Sequence, residues 1–558
     1  MKPQNWLRHI RSREDQLFLL LSLIIGALVG LIIVAFILIT ERVGLRLYPA
    51  NGAPLRRLAT PLIGALAAGY LLYRYFPDAR GSGIPQTKTA LFAGNGNISF
   101  RTVLGRFLCS STTLASGIAL GREGPSAHLG AGVASLLGRA LGLSEDKVKS
   151  LLPVGVAAAL AAAFNTPIAA VLFSLEEVLG DLHAPVLGSI VLSSATSWIV
   201  LHLSLGDEPL FHVPAYHLVH PIEFGIYAIL GAAGGLVSVA FVKLLLWIRA
   251  RFLLLPVRTV WLQPAIGGLI VGVMGYFVPE VLGVGYTHVG SALNGKMVLS
   301  FMALLVVLKV IATASSYSSG NAGGIFGPSL FIGAMLGGAL GSLAHLALPQ
   351  FTAESGAYAL VGMGTAFAGI IRAPFTSVIM IFEMTRDYTI IVPLMISNLV
   401  SFYISSRLQR TPVYEALSHQ IGIHLPSAHT RRDASQYRVS DAMRTPGACL
   451  QLSMGVRNAL LEMNPNEGDA WPVFDGERFE GMISKEELER ADSEGRATIK
   501  LVPASEKTPH VHSDHTLDVV LHRMGAAGVK TLPVVSRKDI HELEGIVTIE
   551  DVLKVYGL

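Results

Sequence analysis

The sequence predicts an α-helical polytopic membrane domain followed by a smaller soluble α/β domain. The first observation is composition: 51% of the 558 residues are hydrophobic and 15% are charged, with a mean hydropathy of +0.53. This composition excludes an ordinary soluble enzyme and is typical of chains with many spanning helices. The second is charge distribution, because about a quarter of the residues after position 410 are charged, against about a tenth before it. We therefore expect the membrane domain to end near Arg410.

Net charge and cysteine usage narrow the function classes. The net charge is +4, which gives no indication of a nucleic-acid partner. Cys109 and Cys449 lie in regions of different character, and neither has a neighbour with metal-ligand spacing. The sequence therefore predicts neither a disulfide-built fold nor a metal site.

The amino-terminal region reads as a cytoplasmic segment, residues 1–15, followed by a spanning helix. The apolar run from Leu17 to Thr40 is too long for a signal-peptide core. Basic residues precede it and place the amino terminus in the cytoplasm. Further apolar stretches are expected at about 59–76, 103–120, 148–178, 184–204, 222–248, 259–281, 299–313, 322–348, 357–383 and 388–406. Several are interrupted by Gly and Pro, and broken helices at membrane depth are tolerated only where they line a cavity or are buried in protein.

An internal repeat relates two halves of the membrane domain. Residues 121–131 and 324–334 both fit the pattern G-x-x-G-P-S-x-x-x-G-A. A second match pairs 164–176 with 371–383, in which a Pro precedes a Glu at the same spacing. Interrupted segments at equivalent positions of two halves predict a substrate site at the repeat interface.

Three glycine-rich loops end in proline and open helices: Gly81–Pro85, Gly121–Pro125 and Gly324–Pro328. Proline is favoured at the first helical position, so each loop predicts a helix start inside the membrane. A helix start presents free N–H groups and partial positive charge. Several such starts, with a hydroxyl such as that of Ser82, would bind an anion without a full cation and would still release it.

These motifs, in this order, resemble the signature of the CLC family of chloride channels and proton-coupled chloride transporters, over nearly all of residues 16–417. The resemblance implies an all-α membrane domain, 16–410, built from two inverted repeats with broken helices, and a homodimer with one anion pathway per subunit. It implies that Ser82, the backbone amides of Ile325 and Phe326, and the hydroxyl of Tyr414 bind chloride.

The resemblance also assigns the proton-coupling carboxylates. Glu123 matches the gating glutamate, and an ionised carboxylate at a helix start is itself an anion in an anion site. Glu177 matches the intracellular proton-transfer glutamate of the exchangers, whereas its neighbour Glu176 pairs with Glu383 in the repeat and is expected to be structural. The sequence departs from the family pattern at Gln86, where many relatives have Glu. Lys88, two residues later, could alter the electrostatics of the inner proton entry.

After a linker at 411–435, the tail resembles a tandem pair of CBS domains at 436–498 and 499–558. Its halves are expected to open at 439–443 and 502–504, with strands at 471–474 and 532–535. Family members often bind adenine nucleotides between the two modules. Thr548 and Asp551 match the ribose–phosphate positions, and Ser484 is the equivalent of Thr548 in the first module. A purely structural dimerisation module remains the alternative reading.

The predicted function is chloride/proton antiport in the cell membrane, with the multi-pass chain in the lipid bilayer and its amino terminus and tail in the cytoplasm. We expect no enzyme activity, no required cofactor, chloride and protons as substrates, and a possible adenine nucleotide on the tail. A passive, voltage- or pH-gated chloride channel of the same fold is the first alternative, and a membrane-tethered nucleotide sensor is the second. We do not favour a divalent-cation transporter, because such a protein needs several converging carboxylates and the three loop motifs contain only one Glu. His510, His512 and His515 are read as solvated loop residues.

Overall fold

The computed structural model describes residues 3–49, 52–92, 94–182, 185–207, 209–214, 216–423, 437–463, 469–494, 498–499 and 508–555. The chain divides into two compact units, Met1–Leu425 and Pro426–Leu558. The helices of the first unit are α1 Pro3–Leu47, α2 Pro54–Arg74, α3 Ile84–Phe92, α4 Phe100–Ala115, α5 Glu123–Ala140, α6 Glu145–Phe164, α7 Pro167–Phe173, α8 Leu187–Leu205, α9 Glu223–Leu253, α10 Gln263–Phe277, α11 Tyr286–Leu293, α12 Leu299–Ser318, α13 Phe326–Ala347, α14 Ser355–Ile371, α15 Pro374–Thr385, α16 Ile391–Leu408 and α17 Val413–His419.

The first unit is a membrane-spanning helical domain, as predicted. Among the described residues, seven helical segments are long and apolar enough to cross a membrane: Gln16–Leu47, Glu145–Phe164, Leu187–Leu205, Glu223–Leu253, Leu299–Ser318, Phe326–Ala347 and Ile391–His419, the last of which comprises α16 and α17. Other predicted apolar stretches are broken, as their Gly and Pro content indicated. The predicted stretch 148–178 divides at Asn165, where α6 ends in a left-handed residue, and α7 continues as a π-helical turn at Ser174–Leu179.

The sequence repeat is a repeat of structure, in which α1–α8 correspond to α9–α16. Helix α5 packs on α6 as α13 packs on α14, and α1 packs on α8 as α9 packs on α16. Glycines at equivalent positions of the two halves let the paired helices cross at short distance. A Cβ atom on Gly130 would lie 2.0 Å from the Gly155 carbonyl oxygen, and one on Gly333 would lie 2.2 Å from that of Gly362. Small residues thus bring the helix backbones together, as is common in membrane domains.

Reciprocal hydrogen bonds join the two halves about a local two-fold axis. The N–H of Gly121 donates to the carbonyl of Gly324, and the N–H of Gly324 donates to that of Gly121, each at 2.7 Å. Glu176 accepts the Thr376 N–H at 2.8 Å at the start of α15, and Glu383 accepts the Ala169 N–H at 2.7 Å at the start of α7. Each carboxylate therefore caps a helix of the other half, which agrees with the structural role predicted for this pair.

Helix α17 belongs to the first unit, although it lies inside the stretch predicted as a linker. It packs against α3, α9 and α14. Val413, Tyr414 and Leu417 are each 1% exposed, which explains why this amphipathic segment stays with the membrane helices. The domain boundaries given above remain predictions, and residues 424–436 lie outside the described part of the chain.

The second unit contains two small α/β modules, as predicted for the tail. Its elements are α18 Val439–Ala442, β1 Leu450–Gln451, α19 Val456–Glu462, β2 Ala470–Asp475, β3 Arg478–Ser484, α20 Lys485–Ser493, α21 Leu517–Ala527, β4 Thr531–Val535, β5 Leu543–Thr548 and α22 Ile549–Val555. In the first module β1 pairs parallel to β2, which pairs antiparallel to β3. In the second, β4 pairs antiparallel to β5, and Val511 forms a parallel bridge with Val534.

The two modules exchange their opening segments. Val439 and Ala442, at the start of the first module, lie in the core of the second, whereas Ile499 lies in the core of the first. Arg444 forms an antiparallel bridge with Ile546 of β5. The two modules together form one compact unit. The predicted opening of the second module at 502–504 lies outside the described residues.

Candidate anion and proton site

The three glycine–proline loops meet at one place in the first unit. Gly124 lies at the centre: a Cβ atom added there would be 2.6 Å from the Ser82 carbonyl oxygen and 3.3 Å from Gly324 Cα. Gly83 lies equally close to the same loop, since its Cβ would be 2.7 Å from the Gly124 carbonyl oxygen, and it has φ +99°. Only glycine combines this backbone conformation with this approach. The convergence expected of an anion site built from helix starts is therefore present.

The loop that carries Ser82 is held by two side chains. The amide of Gln86 donates to the Arg80 carbonyl at 2.9 Å and accepts the Gly83 N–H at 2.9 Å. An ionised Glu at this position could not make the first of these bonds, because a carboxylate only accepts. Arg106 of α4, which is fully buried, donates to the Gly81 carbonyl at 2.5 Å. The position of the Ser82 hydroxyl is thus fixed by the surrounding protein.

The second loop places Ile325 and Phe326 at the start of α13. Both are buried, and the Phe326 ring packs against Phe164 and Phe367 at centroid distances of 4.6 and 4.3 Å. The first N–H groups of a helix have no acceptor within the helix. The aromatic packing therefore fixes where these amides point, and they are available to an anion.

The two hydroxyls predicted to bind the anion, those of Ser82 and Tyr414, are buried. Ser82 is 0% exposed and Tyr414 is 1% exposed. Within the described residues, neither Ser82 Oγ nor Tyr414 Oη has a hydrogen-bond partner. Leaving a buried hydroxyl without a partner costs free energy, so these two hydroxyls are free to donate to an anion. Tyr414 also lies within electrostatic range of Glu177 and Glu123.

Glu123 occupies the junction of the loops as a fully buried carboxylate. Its Oε2 accepts the N–H of Gly327, in the first turn of α13, at 3.2 Å. Its Oε1 accepts a hydrogen bond from the hydroxyl of Tyr286, the first residue of α11. A carboxylate of the first repeat therefore lies on the helix start of the second repeat, where the free N–H groups and the helix dipole favour a negative group.

The neighbouring cation, Arg122, is directed away from the anion position. Its guanidinium donates to Glu41 at 2.6 Å and to the Ala163 carbonyl at 3.3 Å, and it lies 5.5 Å from the centre of the Tyr286 ring. The positive charge is thus paired with Glu41 of α1 rather than directed to the place where the loops meet.

Glu177 forms a buried ion pair with Lys88. The Lys88 ammonium lies 2.9 Å from Glu177 Oε1, and both side chains are below 10% exposed. Lys88 lies on α3, directly after the Ser82 loop, and Glu177 lies in the π-helical turn that follows α7. The pair links the second titratable group to the helix that begins at the anion site. The sequence had indicated Lys88 as an influence on this region but not as the partner.

Sequence reasoning missed three residues that shape the site. Tyr286 and Arg106 lie on helices other than those of the loop motifs, and so does Lys309, which is fully buried in α12. A lone Lys or Arg in an apolar stretch was the available signal for two of them, because such residues in membrane segments are functional by default. Nothing in the local sequence could have indicated Tyr286.

A cavity of about 710 Å³ borders the Ser82 loop. Gly81, Pro85 and Gln86 line it on one side, and Arg249 and Gln263 are among the residues on the other.

Comparisons with known proteins match this geometry. A model of the family described as voltage gated chloride channel matches residues 63–406. The chain belongs to the CLC family. It is 32% identical over 416 residues to the H(+)/Cl(-) exchange transporter ClcA of Vibrio campbellii, covering 72% of this chain and 89% of that protein. It is 35% identical over 362 residues to a putative chloride channel protein, ClcB-like, of Ralstonia nicotianae, covering 64% of this chain and 84% of that one.

Two further comparisons concern the fold and the tail. The crystal structure of a eukaryotic CLC transporter superposes with a TM-score of 0.69 at 22% identity, covering 96% of this chain and 97% of that one. A CBS domain model matches residues 502–557. The CLC-like membrane fold and the CBS tail predicted from the sequence are thereby confirmed, and the chain is a membrane transport protein rather than an enzyme.

In the CBS tail, the predicted nucleotide ligands lie at helix starts. Thr548 Oγ1 donates to Asp551 Oδ2 at 2.7 Å at the start of α22, and Arg444 Nε lies 3.0 Å from the same oxygen. Ser484 Oγ accepts the Glu487 N–H at 3.3 Å at the start of α20. Partial burial raises the pKa of Asp551, but the hydrogen bonds from Thr548 and Arg444 outweigh it and lower the pKa overall. Their role in nucleotide binding stays a prediction.

The tail histidines are half-buried rather than solvated as predicted. The ring centroids of His510 and His512 lie 5.2 Å apart, and those of His512 and His515 lie 4.9 Å apart. Ring nitrogens of His510 and His512 lie within 2.8 Å of backbone carbonyl oxygens, which holds the rings in place. Burial is the main cause of the lowered pKa of His515, and the positive charges of Arg523 and Arg537 lower this pKa further. Among the described residues no group of three ligating side chains is arranged to hold a metal.

Proposed function

We propose that this protein exchanges chloride for protons across a membrane, and that Glu123 couples the two ions. The observation that carries the proposal is the Glu123 carboxylate on the Gly327 N–H, where the three loops meet. A site that accepts a carboxylate at a helix start accepts a halide for the same physical reason. The name of the Vibrio campbellii relative, an exchange transporter, supports the same function.

The proposed chloride ligands are Ser82, Ile325, Phe326 and Tyr414. The two buried hydroxyls that have no partner among the described residues support this assignment, as do the first N–H groups of α13. Neutral donors suit transport because an ion held by them is stabilised yet can leave, whereas a fixed full charge would retain it.

The proposed cycle follows from the competition between chloride and the carboxylate. While ionised, Glu123 fills the anion position at the start of α13. A proton on the carboxylate removes its charge and hence most of its attraction to the helix start. Chloride then takes the position, and the protonated side chain moves aside. When chloride leaves, Glu123 returns and gives up its proton, so that proton movement is tied to anion occupancy.

We assign to Glu177 the transfer of protons to and from the inner side. It is buried, it lies within electrostatic range of Tyr414, and it carries a titratable group that the equivalent position of the second repeat, Met384, does not. The ion pair with Lys88 holds its carboxylate in place between proton transfers.

Reconstituted vesicles test the proposal. With the purified protein in vesicles under an inward chloride gradient and no proton gradient, exchange predicts uphill proton movement that stops when the chloride gradient is collapsed. Chloride flux without proton movement would instead establish a passive channel. The name of the Ralstonia nicotianae relative, a chloride channel protein, supports this alternative. The buried Glu177–Lys88 pair favours the exchanger, because a channel has no need of a second proton group.

The assembly and orientation belong to the same proposal. We infer a homodimer with one anion pathway per subunit, spanning the cell membrane in the lipid bilayer with its amino terminus and CBS tail in the cytoplasm. Exposed apolar side chains on α7, α8, α15 and α16, such as Ile168, Val191, Phe375 and Leu399, provide a surface for either lipid or a second copy. Cross-linking in native membranes distinguishes these occupants.

We also infer that the CBS tail binds an adenine nucleotide through Thr548 and Asp551, with Ser484 as the corresponding residue of the first module. Support comes from their positions at helix starts, where phosphate groups bind readily. Binding of radiolabelled ATP to the full-length protein would be reduced by Thr548→Ala and less affected by Ser484→Ala. Binding unchanged by Thr548→Ala would contradict this assignment, and no ATP binding by the wild-type protein would favour a purely structural role for the tail.

A further inference from the structure

Lys309 is a buried cation in the middle of α12. It is 0% exposed, and its ammonium donates to the carbonyl oxygens of Val281 and Gly283 at 3.0 and 2.6 Å. The ammonium also lies 4.5 Å from the centre of the Phe331 ring of α13. Among the described residues, no carboxylate forms an ion pair with it. Burying an ammonium is costly, so these backbone contacts are expected to serve a purpose.

The carbonyls that Lys309 holds belong to the segment that leads into α11. The N–H of Gly283 donates to the Gly117 carbonyl at 2.8 Å, which fastens the segment on its other side to the loop preceding Glu123. Gly285, with φ +86°, passes so close to Phe331 that a Cβ atom would lie 2.7 Å from the ring. The segment is therefore clamped between α12, α13 and the chain before Glu123.

Tyr286 follows this clamp directly and begins α11. Its hydroxyl donates to Glu123 Oε1, while the Gly327 N–H donates to Oε2. The gating carboxylate is thus held by two donors, a backbone amide and a phenol. The position of the phenol depends on the segment 281–285, and that segment depends on Lys309.

We propose that Lys309 is a positioning residue for the gate: it holds the segment 281–285 so that the Tyr286 hydroxyl reaches Glu123, and in this way it sets how strongly chloride must compete with the carboxylate. The inference rests on the proposed function and deepens it. It assigns a role to Tyr286 as the second donor to the closed gate and to Lys309 as the residue that orients this donor.

Chloride affinity measured by calorimetry on the purified full-length protein tests the assignment. Tyr286→Phe removes one hydrogen bond to the seated carboxylate, so chloride should bind about five- to tenfold more tightly. Lys309→Met should shift chloride affinity in the same direction, and Lys309→Arg, which keeps a buried cation and its donors, should restore most of the wild-type value. Adding Lys309→Met to Tyr286→Phe should change little further, because both act through one contact.

The background without the carboxylate provides the decisive control. In Glu123→Gln no ionised side chain competes with chloride, so Lys309→Met and Tyr286→Phe should no longer alter chloride affinity. If Lys309→Met does not fold, Lys309→Gln, which keeps amide donors but no charge, takes its place in the same cycle. Thermal stability and elution volume report on folding independently.

Three outcomes would overturn the inference. Weaker chloride binding in Lys309→Met would show that the ammonium acts on the anion through its charge. Full additivity with Tyr286→Phe, or an undiminished effect in Glu123→Gln, would show that it does not act through the gate. Coupled transport by the wild-type protein is measured separately in reconstituted vesicles, so its absence would count against the proposed function and not against this contact alone.

Discussion

The two halves of the membrane unit have equivalent loops with different chemistry. At the loop of the first repeat the chain reads Gly-Arg-Glu-Gly-Pro, and at that of the second it reads Gly-Ile-Phe-Gly-Pro. The two backbones lie side by side: the N–H of each of Gly121 and Gly324 donates to the carbonyl of the other at 2.7 Å. Yet the first loop supplies a carboxylate, Glu123, and the second supplies the helix start on which it rests.

The same contrast recurs at the second match between the halves. Glu176 and Glu383 are equivalent, and each caps a helix of the opposite half. Glu177 has Met384 as its equivalent, and it pairs with Lys88 instead. Where the repeats agree the residue stabilises the fold, and where they differ it carries a titratable group. The comparison therefore supports the proposal that Glu176 and Glu383 are structural and that Glu177 transfers protons.

The largest effect is expected from Glu123→Gln. The amide cannot ionise, so it should abolish proton coupling while chloride flux continues, because the chloride ligands are intact. Proton and chloride fluxes recorded in the same vesicles check this. Glu383→Gln makes the same chemical change at a carboxylate that caps α7, so it is the matched control and should retain coupling. Strict proton dependence surviving in Glu123→Gln would contradict the assigned role and the contrast between the loops.

Substitutions at the neighbouring glutamates, Glu176 and Glu177, are expected to have smaller effects and test the second comparison between the repeats. Glu177→Gln should stop proton transport while chloride still passes, because the inner proton group is removed. Glu176→Gln should keep coupled transport but lower stability by about 1 kcal/mol, as expected for a weakened helix cap. Flux assays and thermal unfolding in detergent measure the two. A loss of coupling in Glu176→Gln with normal coupling in Glu177→Gln would reverse the assignment.

The smallest effect is expected in the CBS tail, where the two modules also differ. Asp551 has a lowered pKa in the folded protein, so its contribution to stability is present above the unfolded value of about 3.9 and is lost as the pH falls through the folded pKa. Arg444→Gln should lower the stability of residues 543–555 by about 1 kcal/mol at neutral pH and reduce their acid sensitivity.

Hydrogen exchange of the full-length protein, corrected for the pH dependence of the chemical exchange step, measures this difference. Arg457→Gln is the control, since the Arg457–Asp492 pair is exposed, with the arginine side chain 85% accessible. Equal losses in the two variants would show that the Asp551 contact contributes no more than an exposed surface pair.

The sequence by itself determined the membrane class, the repeat and the three loops, because composition, glycine and proline act locally on the backbone. Glu123 and Glu177 could be singled out through the resemblance to the CLC family, which for Glu123 agrees with the cost of a carboxylate in an apolar segment. Only the tertiary structure brought the Gly327 amide and the Tyr286 hydroxyl to Glu123, paired Lys88 with Glu177, and directed Lys309 to the segment before Tyr286. These partners lie far apart in the chain, and it is the packing of helices against one another that decides which distant groups meet.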